Sequence, residues 1–516
     1  MKFLVTVPPV ITPSEPPSGA FLLAAGLVAR GIDAGFLDLS LEYFRHIFSL
    51  SPQGRGYPAV MPALDYLLNN PRYNPQQHRT AVGVLNSSMK LFSKGFPGWK
   101  ITLMDLVPPV TLHRPSELMK VCTEGNTPFT GFWEEYLLPI LKRYSPETVL
   151  VSLSYLSQLT AGIDLILFLR RTGYKVIAGG SLLNSLSRTG MGYELVRSVL
   201  PESSLGDGSS FPGFDSGKEP FLSRLSWPSM PGEWNYVCGR PVVPYTLSTG
   251  CYWNRCLFCP DSSRKLTVYG HETFERFIST IPAAVMEKNP IIHFVDSAVP
   301  GKALEGVLPL LRQNKLDFYT FARPEGWISR IADRLSESGC LMLQLGAESG
   351  SRSLLDLFEK GIDPDTALKV LKECANAGIR SYVYMLLGLP GETDHDIEAS
   401  LGFLEKAGDS IDFINFSIFN LPVNCDLTDR ASEFGIDLLD HDSPDDAIRL
   451  YRPFLHNGQN PRIAARRAVS ECFTEIPSVA EALRRTPRWF RTSHFPLIEI
   501  PGRISGFSTD QGPDTS

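Results

Sequence analysis

The stretch Gly250–Cys259, GCYWNRCLFC, carries the most specific signal in this chain of 516 residues. Its three cysteines, Cys251, Cys256 and Cys259, have the spacing C-x4-C-x2-C, whereas the other cysteines are scattered singly. The run follows the apolar stretch 245–249, so we expect it on a loop at the carboxyl end of a strand. Three thiolates on one short loop can converge on one inorganic centre, and soft sulfur donors favour iron–sulfur clusters or zinc. The stretch therefore predicts a metal or cluster site.

Three kinds of site share features with this pattern. A structural zinc site needs four closed ligands, and the nearest candidate for the fourth is His271. A plant-type [2Fe-2S] carrier has the same spacing plus a fourth cysteine, but the next one here, Cys340, falls in a different strand–helix unit. A four-iron cluster held by three cysteines leaves one iron open for a substrate. We favour this last interpretation, with a non-catalytic iron–sulfur or zinc-stabilised binding protein as the alternative.

From Tyr245 onward, apolar strand-like runs alternate with helical patterns. The predicted strands are 245–249, 291–296, 318–322, 341–347, 381–387 and 412–419. Six strand–helix units in this order predict a partial (β/α)6 barrel, whose chemistry sits on the loops at the carboxyl ends of the strands.

The N-terminal part is predicted to form a separate α/β unit. Strand-like runs occur at 2–7, 34–39, 148–153 and 175–178, and the clearest helical runs at 20–29 and 159–171. This order predicts a doubly wound, Rossmann-like parallel sheet that binds ligands beyond the carboxyl ends of its strands. We divide the chain into a Rossmann-like domain at 1–205 with a helical insertion at 40–145, a linker at 206–240, the barrel at 241–425, and a helical cap with a disordered tail at 426–516.

The composition excludes several classes of protein. Hydrophobic residues make up 43% and charged residues 20% of the chain, as in ordinary soluble globular proteins. The net charge, 49 − 55 = −6, gives no basic excess, so we expect no nucleic-acid partner. The apolar run 20–29 is about half the length of a membrane span and lacks a basic segment before it. We therefore expect a cytoplasmic protein without membrane association.

Taken together, the motifs resemble the radical S-adenosylmethionine (radical SAM) family, in the subgroup with an N-terminal cobalamin-binding-like domain. Gly250–Cys259 resembles the cluster loop of that subgroup, and His293–Pro300 (HFVDSAVP) resembles its second-strand motif. Gly346–Ser351 (GAESGS) resembles the fourth-strand motif, and Gly388–Thr393 (GLPGET) resembles the motif after the fifth strand. The resemblance covers about 244–419, and the order of the motifs matches a partial barrel.

The resemblance implies a [4Fe-4S] cluster on the three cysteines, whose open iron chelates the amino and carboxylate groups of SAM. Phe258 would pack against the adenine, and Glu348 would accept hydrogen bonds from the ribose hydroxyls. Asp296 would lie near the amino end of the methionine moiety, where a carboxylate favours an ammonium group. Ser349, next to Glu348, belongs to the same predicted site.

Several of these positions also have a purely structural interpretation. Asp296 could cap the helix that follows it. Arg323, just past the third strand, could clamp a carboxylate or phosphate of a cofactor or merely pair with a surface acid. Gly388 belongs to the predicted cofactor site and also suits a tight turn, after which Thr393 and Asp396 would form a capping box.

The resemblance implies reductive cleavage of SAM to a 5′-deoxyadenosyl radical. It also implies a low-potential electron donor such as flavodoxin or ferredoxin, and a substrate that is a small molecule or a peptide. The N-terminal domain departs from the subgroup because it lacks a D-x-H-x-x-G motif, and Gly206–Gly208 is the nearest remnant of an acidic Gly-Glu run. Cobalamin binding is therefore left open. With cobalamin, we expect methyl transfer to an unactivated carbon or phosphorus; without it, a rearrangement or an oxidation.

Overall fold

The computed structural model describes residues 1–50, 58–69, 74–124, 126–189, 220–232, 234–261, 265–439 and 448–486. Much of the predicted linker and the predicted disordered tail, Ser508–Ser516, lie outside these ranges.

The N-terminal domain is built on a four-stranded parallel sheet. Its main elements are β1 (Phe3–Val7), α1 (Ser18–Val28), β2 (Ala34–Asp38), β5 (Thr148–Ser152), α8 (Leu159–Arg171), β6 (Lys175–Gly179) and α9 (Ser181–Thr189). The strand order is β2-β1-β5-β6. Every residue of β1, β2 and β5 is buried, as expected for parallel strands covered on both faces.

The insertion between β2 and β5 is mostly helical, as predicted. It contains α2 (Leu39–Leu50), α3 (Val60–Asn69), α4 (Pro75–Ser93), the short strands β3 (Lys100–Ile101) and β4 (Leu106–Val107), α5 (Pro115–Thr123), α6 (Thr130–Phe132) and α7 (Leu138–Tyr144), with a π-helical turn at Trp133–Leu137. Its apolar side chains pack on one face of the sheet, in a core that includes Tyr43, Phe132 and Trp133.

The second domain is a six-stranded parallel sheet with the order β14-β13-β12-β11-β10-β7. Its elements are β7 (Val242–Tyr245), β8 (Ser248–Thr249), β9 (Thr267–Val268), α10 (His271–Ile278), α11 (Ala283–Met286), β10 (Ile291–Phe294), α12 (Gly301–Gln313), β11 (Asp317–Ala322), α13 (Gly326–Glu337), β12 (Cys340–Glu348), α14 (Arg352–Leu357), α15 (Pro364–Asn376), β13 (Arg380–Leu387), α16 (Asp394–Ala407) and β14 (Phe413–Ile418). The strands pair in sequential order, and β7 and β14 lie at the two ends of the described sheet without pairing with each other. This arrangement is a partial barrel, so the predicted fold class is confirmed.

Side chains alternate between the two faces of the barrel strands. On β12, Leu343 and Leu345 belong to the core shared with the surrounding helices. Met342 instead packs inside the barrel with Tyr319 and Tyr382. Residues from outside the barrel, among them Tyr236, belong to this inner cluster and cover the amino-terminal end of the lumen.

The two domains share one continuous apolar core. Phe21 on α1 is fully buried, and its ring contacts the rings of Trp227, Trp234 and Phe277 at centroid distances of 5.3, 5.9 and 6.5 Å. Both tryptophans belong to the predicted linker. The described part of that segment therefore packs between the domains rather than running free.

The C-terminal segment contains the predicted helices and also two small antiparallel strand pairs. Its elements are β15 (Leu421–Pro422), α17 (Asp426–Asp429), β16 (Ile436–Leu438), β17 (Tyr451–Arg452), β18 (Phe454–His456), α18 (Pro461–Glu471) and α19 (Pro477–Arg485). The pairs are β15–β17 and β16–β18. Among the described residues, no helix has both the length and the apolar character that crossing a membrane requires.

Candidate active site

The cysteine-bearing loop begins where β8 ends, at the carboxyl edge of the barrel. Trp253 anchors it: the indole Nε1 donates a hydrogen bond to the Glu359 carbonyl at 2.7 Å. The Trp253 ring also lies against Gly361, where an added Cβ would be 1.8 Å from the ring. The backbone of Leu257 donates to the Phe358 carbonyl at 3.2 Å. The loop is thus held by the segment that follows the fourth barrel strand.

The three predicted cluster cysteines lie on this one loop and influence one another electrostatically. Cys251 and Cys259 are partly exposed, and Cys256 is buried. Burial raises the pKa of Cys259 to about 11 and also raises the pKa of Cys256, while Lys360 and Arg323 act to lower the pKa of Cys256. Two cations therefore lie near a group of thiols, which suits a centre whose cysteine ligands are thiolates.

Glu348 lies at the end of β12 in an ion pair that the sequence did not predict. Lys360 Nζ lies 2.8 Å from Glu348 Oε1, and the two side chains are only 10% and 16% exposed. Glu348 has φ +65°, in the left-handed region that most non-glycine residues avoid, and a register shift separates it from Gly346. This backbone turn helps to orient the carboxylate at the barrel edge, near the cysteine loop.

Arg323 is buried rather than at the surface. Its Nε lies 2.7 Å from Glu325 Oε1, and its Nη2 donates to the Lys360 carbonyl at 2.6 Å. The guanidinium also lies 4.5 Å from the Trp253 ring centroid. Arg323 therefore joins the third barrel strand, the cysteine loop and the turn of residues 358–361 (the Lys360 turn). The acid with which it pairs, Glu325, is partly exposed, and a role of Arg323 toward a cofactor stays a prediction.

Asp296 supports the strand before the cysteine loop. Its carboxylate accepts hydrogen bonds from the Leu247 backbone at 3.0 Å and from Ser248 Oγ at 2.6 Å. Burial raises its pKa. The alternative in which Asp296 caps the following helix is wrong, because α12 begins at Gly301 with no side-chain cap.

The remaining predicted positions lie around the same edge. The ring of Phe258 lies 6.3 Å from that of Phe358 and 6.0 Å from Lys360 Nζ.

Ser349 Oγ is 3.0 Å from Ser400 Oγ, which ties the fourth-strand loop to α16. Gly388 has φ +80° and donates its backbone N–H to Glu392 Oε2 at 2.6 Å. The roles assigned to these side chains toward a cofactor stay predictions.

The predicted capping box is present. Asp396 accepts from the Thr393 backbone at 2.9 Å, and Thr393 Oγ1 accepts from the Asp396 backbone at 3.4 Å. These bonds begin α16 directly after the GLPGET turn.

The zinc alternative finds no support in the geometry. Within the described residues, no group of three or more His, Cys, Asp or Glu side chains is arranged to hold a single metal ion. Zinc–sulfur bonds of about 2.3 Å would require such a closely spaced set. A four-iron cluster spreads its cysteine ligands over a larger body than one ion does. The donor set, three thiols beside two cations, suits a four-iron cluster held by three cysteines.

The carboxyl edge of the N-terminal sheet is the place where a doubly wound domain binds ligands. Tyr155 and Ser181 are exposed there, and Ser154 and Gly180 are partly exposed. Hydroxyl and backbone groups at this edge suit the amide and phosphate groups of a large cofactor such as cobalamin. The edge has no histidine in its described loops, in keeping with the missing D-x-H-x-x-G motif.

Sequence reasoning missed Lys360, Trp253 and Glu15. Trp253 stood inside the quoted loop, but only the fold shows its contact with the Lys360 turn. Glu15, from the N-terminal domain, reaches His293 of β10 with Oε2 3.0 Å from Nδ1. No local pattern in the sequence signals contacts between residues so far apart.

Comparison with known proteins agrees with this geometry. Residues 245–404 match the model of the radical SAM superfamily, in agreement with the resemblance that the sequence motifs predict. An uncharacterized methyltransferase of Pyrococcus horikoshii, PH0819, is 25% identical over 193 residues, which are 35% of this chain and 40% of that protein. An uncharacterized protein of Methanocaldococcus jannaschii, MJ1620, is 28% identical over 96 residues, 18% of this chain and 19% of that one. The matched region thus spans two fifths or less of these curated relatives.

A solved structure is similar to this chain over nearly its whole length. It is the radical SAM methyltransferase TsrM from Kitasatospora setae, with cobalamin and a [4Fe-4S] cluster bound. The TM-score is 0.53 at 14% sequence identity, covering 94% of this chain and 89% of TsrM. The two proteins share the fold, including the N-terminal domain in front of the barrel.

Proposed function

We propose that this chain is a radical SAM enzyme that cleaves S-adenosylmethionine reductively and transfers a methyl group with the help of cobalamin. The observation that carries the proposal is the cysteine loop: Cys251, Cys256 and Cys259 lie at the carboxyl edge of a partial barrel, beside Lys360 and Arg323. The match of residues 245–404 to the radical SAM superfamily supports it.

The cysteines would hold the cluster, and the nearby cations would offset its negative charge. When bound, the cluster would supply the electron that breaks the S–C5′ bond of SAM, giving methionine and a 5′-deoxyadenosyl radical for hydrogen abstraction from the substrate. Glu348 lies at the same edge and is suited to accept hydrogen bonds from ribose hydroxyls. Phe258 offers an aromatic face for the adenine. The barrel walls would exclude water from the radical.

The N-terminal domain is the proposed site of cobalamin, which would serve as the methyl carrier. TsrM binds cobalamin with a similar whole-chain fold. In this chain, the exposed edge at Ser154, Tyr155 and Ser181 would contact the cofactor. The described loops at this edge contain no histidine, so these hydroxyl and backbone groups would have to hold the cofactor. A flavodoxin or ferredoxin would supply the electrons.

The cluster assignment is tested by Cys256→Ala after anaerobic reconstitution with iron and sulfide. We expect the wild type to contain about four irons and four sulfides, since its three thiols suit a four-iron cluster. SAM should perturb the EPR signal of the wild type and yield 5′-deoxyadenosine, and Cys256→Ala should form none. Cys472→Ala is the matched control, because Cys472 is exposed and far along the chain on the C-terminal segment. Survival of 5′-deoxyadenosine formation in Cys256→Ala would show that the cluster assignment is wrong.

Cobalt content tests the methyl-transfer part. After reconstitution with hydroxocobalamin and gel filtration, we expect close to one cobalt per chain. Four irons without cobalt would instead indicate a cobalamin-independent rearrangement or oxidation by the same radical.

A further inference from the structure

One buried polar side chain inside the barrel has no role in the site described above. Gln344 lies in the middle of β12 and is fully buried. Within the described part of the chain, neither its amide oxygen nor its amide nitrogen has a hydrogen-bond partner. Buried polar groups are nearly always paired, since an unpaired one costs folding free energy. An amide left unpaired on both atoms therefore points to a partner that is not part of the protein.

The position of Gln344 in the strand directs it into the lumen. Its neighbours Leu343 and Leu345 pack on the outer face with the helices, and side chains of a strand alternate in direction. In the parallel register, Gln344 lies opposite Phe321 on β11 and Tyr382 on β13. The amide is thus flanked by two aromatic residues across neighbouring strands.

The surrounding lumen wall is aromatic, and its residues become more exposed toward the cysteine edge. The rings of Tyr382 and Tyr384 stack at 4.6 Å, and those of Phe321 and Tyr384 lie 5.9 Å apart. Tyr382 is buried, whereas Phe321 and Tyr384 are partly exposed. Gly346, two residues after Gln344 on β12 and nearer the cysteine loop, is also partly exposed. Aromatic walls with few polar groups suit a flat apolar ligand whose orientation is set by those groups.

We propose that Gln344 recognises the substrate through a cyclic amide (lactam) edge on a flat heteroaromatic ring. A primary amide presents an N–H donor beside a carbonyl acceptor, so its complement is an acceptor beside a donor, as in a cyclic cis-amide. Two parallel hydrogen bonds would satisfy both atoms of Gln344 at once. The partly exposed ring of Tyr384 would turn aside as the ligand enters. This inference rests on the proposed function in one respect, namely that the reacting substrate binds in the lumen of the barrel.

Binding to matched probes tests the recognition. The probes are 2-quinolone and 1-methyl-2-quinolone, in which methylation removes the N–H donor, measured by isothermal titration calorimetry with the purified full chain. We expect the wild type to bind 2-quinolone at least tenfold more tightly than the methylated ring. Gln344→Met, which keeps the size but loses both hydrogen-bonding atoms, should bind the two rings within twofold. An absence of preference in the wild type, or its persistence in Gln344→Met, would overturn the proposal.

Thermal melting of the free protein separates recognition from a structural role. Gln158 is the matched control, because it is also fully buried but its amide is paired: Oε1 accepts from the backbones of Ser154 and Tyr155, and Nε2 donates to the Pro8 carbonyl. Gln158→Met should lower the melting temperature, whereas Gln344→Met should leave it unchanged or raise it. A fall in Gln344→Met as large as that in Gln158→Met would assign Gln344 a structural role and contradict the proposal.

The two proposals can fail separately. Formation of 5′-deoxyadenosine from SAM by the reconstituted protein tests the radical chemistry without reference to Gln344. If the protein cleaves SAM but shows no preference for the lactam probe, only the proposed recognition of the substrate by Gln344 is disproved. Lactam preference without SAM cleavage would discard the proposed function and leave the binding inference standing.

Discussion

The ion pair between Glu348 and Lys360 gives a prediction at the scale of single residues. Both charges are largely buried, and removing one partner of such a pair leaves the other without compensation. We expect Lys360→Met to lower the free energy of unfolding by about 3 kcal/mol, as is typical of broken buried pairs. The measurement is urea denaturation of the cluster-free protein, with the unfolding monitored by circular dichroism.

The matched control is the double variant Glu348→Gln/Lys360→Met, which leaves no buried charge at this place. It should recover a substantial part of the stability lost in Lys360→Met. Equal stability of the single and double variants would mean that the lost packing of Lys360, rather than the stranded carboxylate, causes the effect.

At the scale of elements, Asp164 on α8 links the insertion to the N-terminal sheet. It accepts hydrogen bonds from Trp133 Nε1 at 2.7 Å and from Thr127 Oγ1 at 3.1 Å. Burial raises its pKa from 3.8 to about 6. Between these values the native state binds more protons than the unfolded state, so stability falls as the pH rises. Asp164 alone would contribute a loss of about 2 kcal/mol from pH 4 to pH 7.

Asp164→Asn keeps an acceptor for Trp133 but cannot ionise. We expect the variant to lose less stability than the wild type over this pH range, with melting temperatures at several pH values as the measurement. Parallel pH profiles for the two proteins would show that Asp164 does not titrate in this window.

At the scale of the whole molecule, the aromatic cluster around Phe21 joins the two domains. Phe21 is fully buried between α1, the linker segment and Phe277 of the barrel layer. Phe21→Ala should cost about 4 kcal/mol, as for other buried aromatic residues truncated to alanine. Because the cluster spans both domains, we also expect the calorimetric unfolding transition to broaden or split. Ile463→Ala, at a position 64% exposed, is the control and should leave the transition unchanged. A single sharp transition in Phe21→Ala would show that the domains are coupled elsewhere.

Much of the fold could be predicted because it follows local patterns. The continuous apolar run 148–153 predicts a strand buried on both faces, and the observed strand β5 spans Thr148–Ser152, one residue shorter. The helix predicted at 159–171 is α8 with the same ends. The sequence indicated helices in the C-terminal segment but not the short strand pairs β15–β17 and β16–β18, since strands of two or three residues carry too little periodicity.

The sequence by itself determined the strand–helix order, the partial barrel and the position of three cysteines on one loop, because spacing along the chain decides these features. The tertiary structure alone decided that Lys360 meets Glu348 and that Arg323 is buried against Trp253. It also decided that Gln344 faces the lumen with no hydrogen-bond partner among the described residues. Such contacts join separate loops and strands across the barrel. They depend on how the strands close around a common lumen, and no local rule of composition or periodicity contains that information.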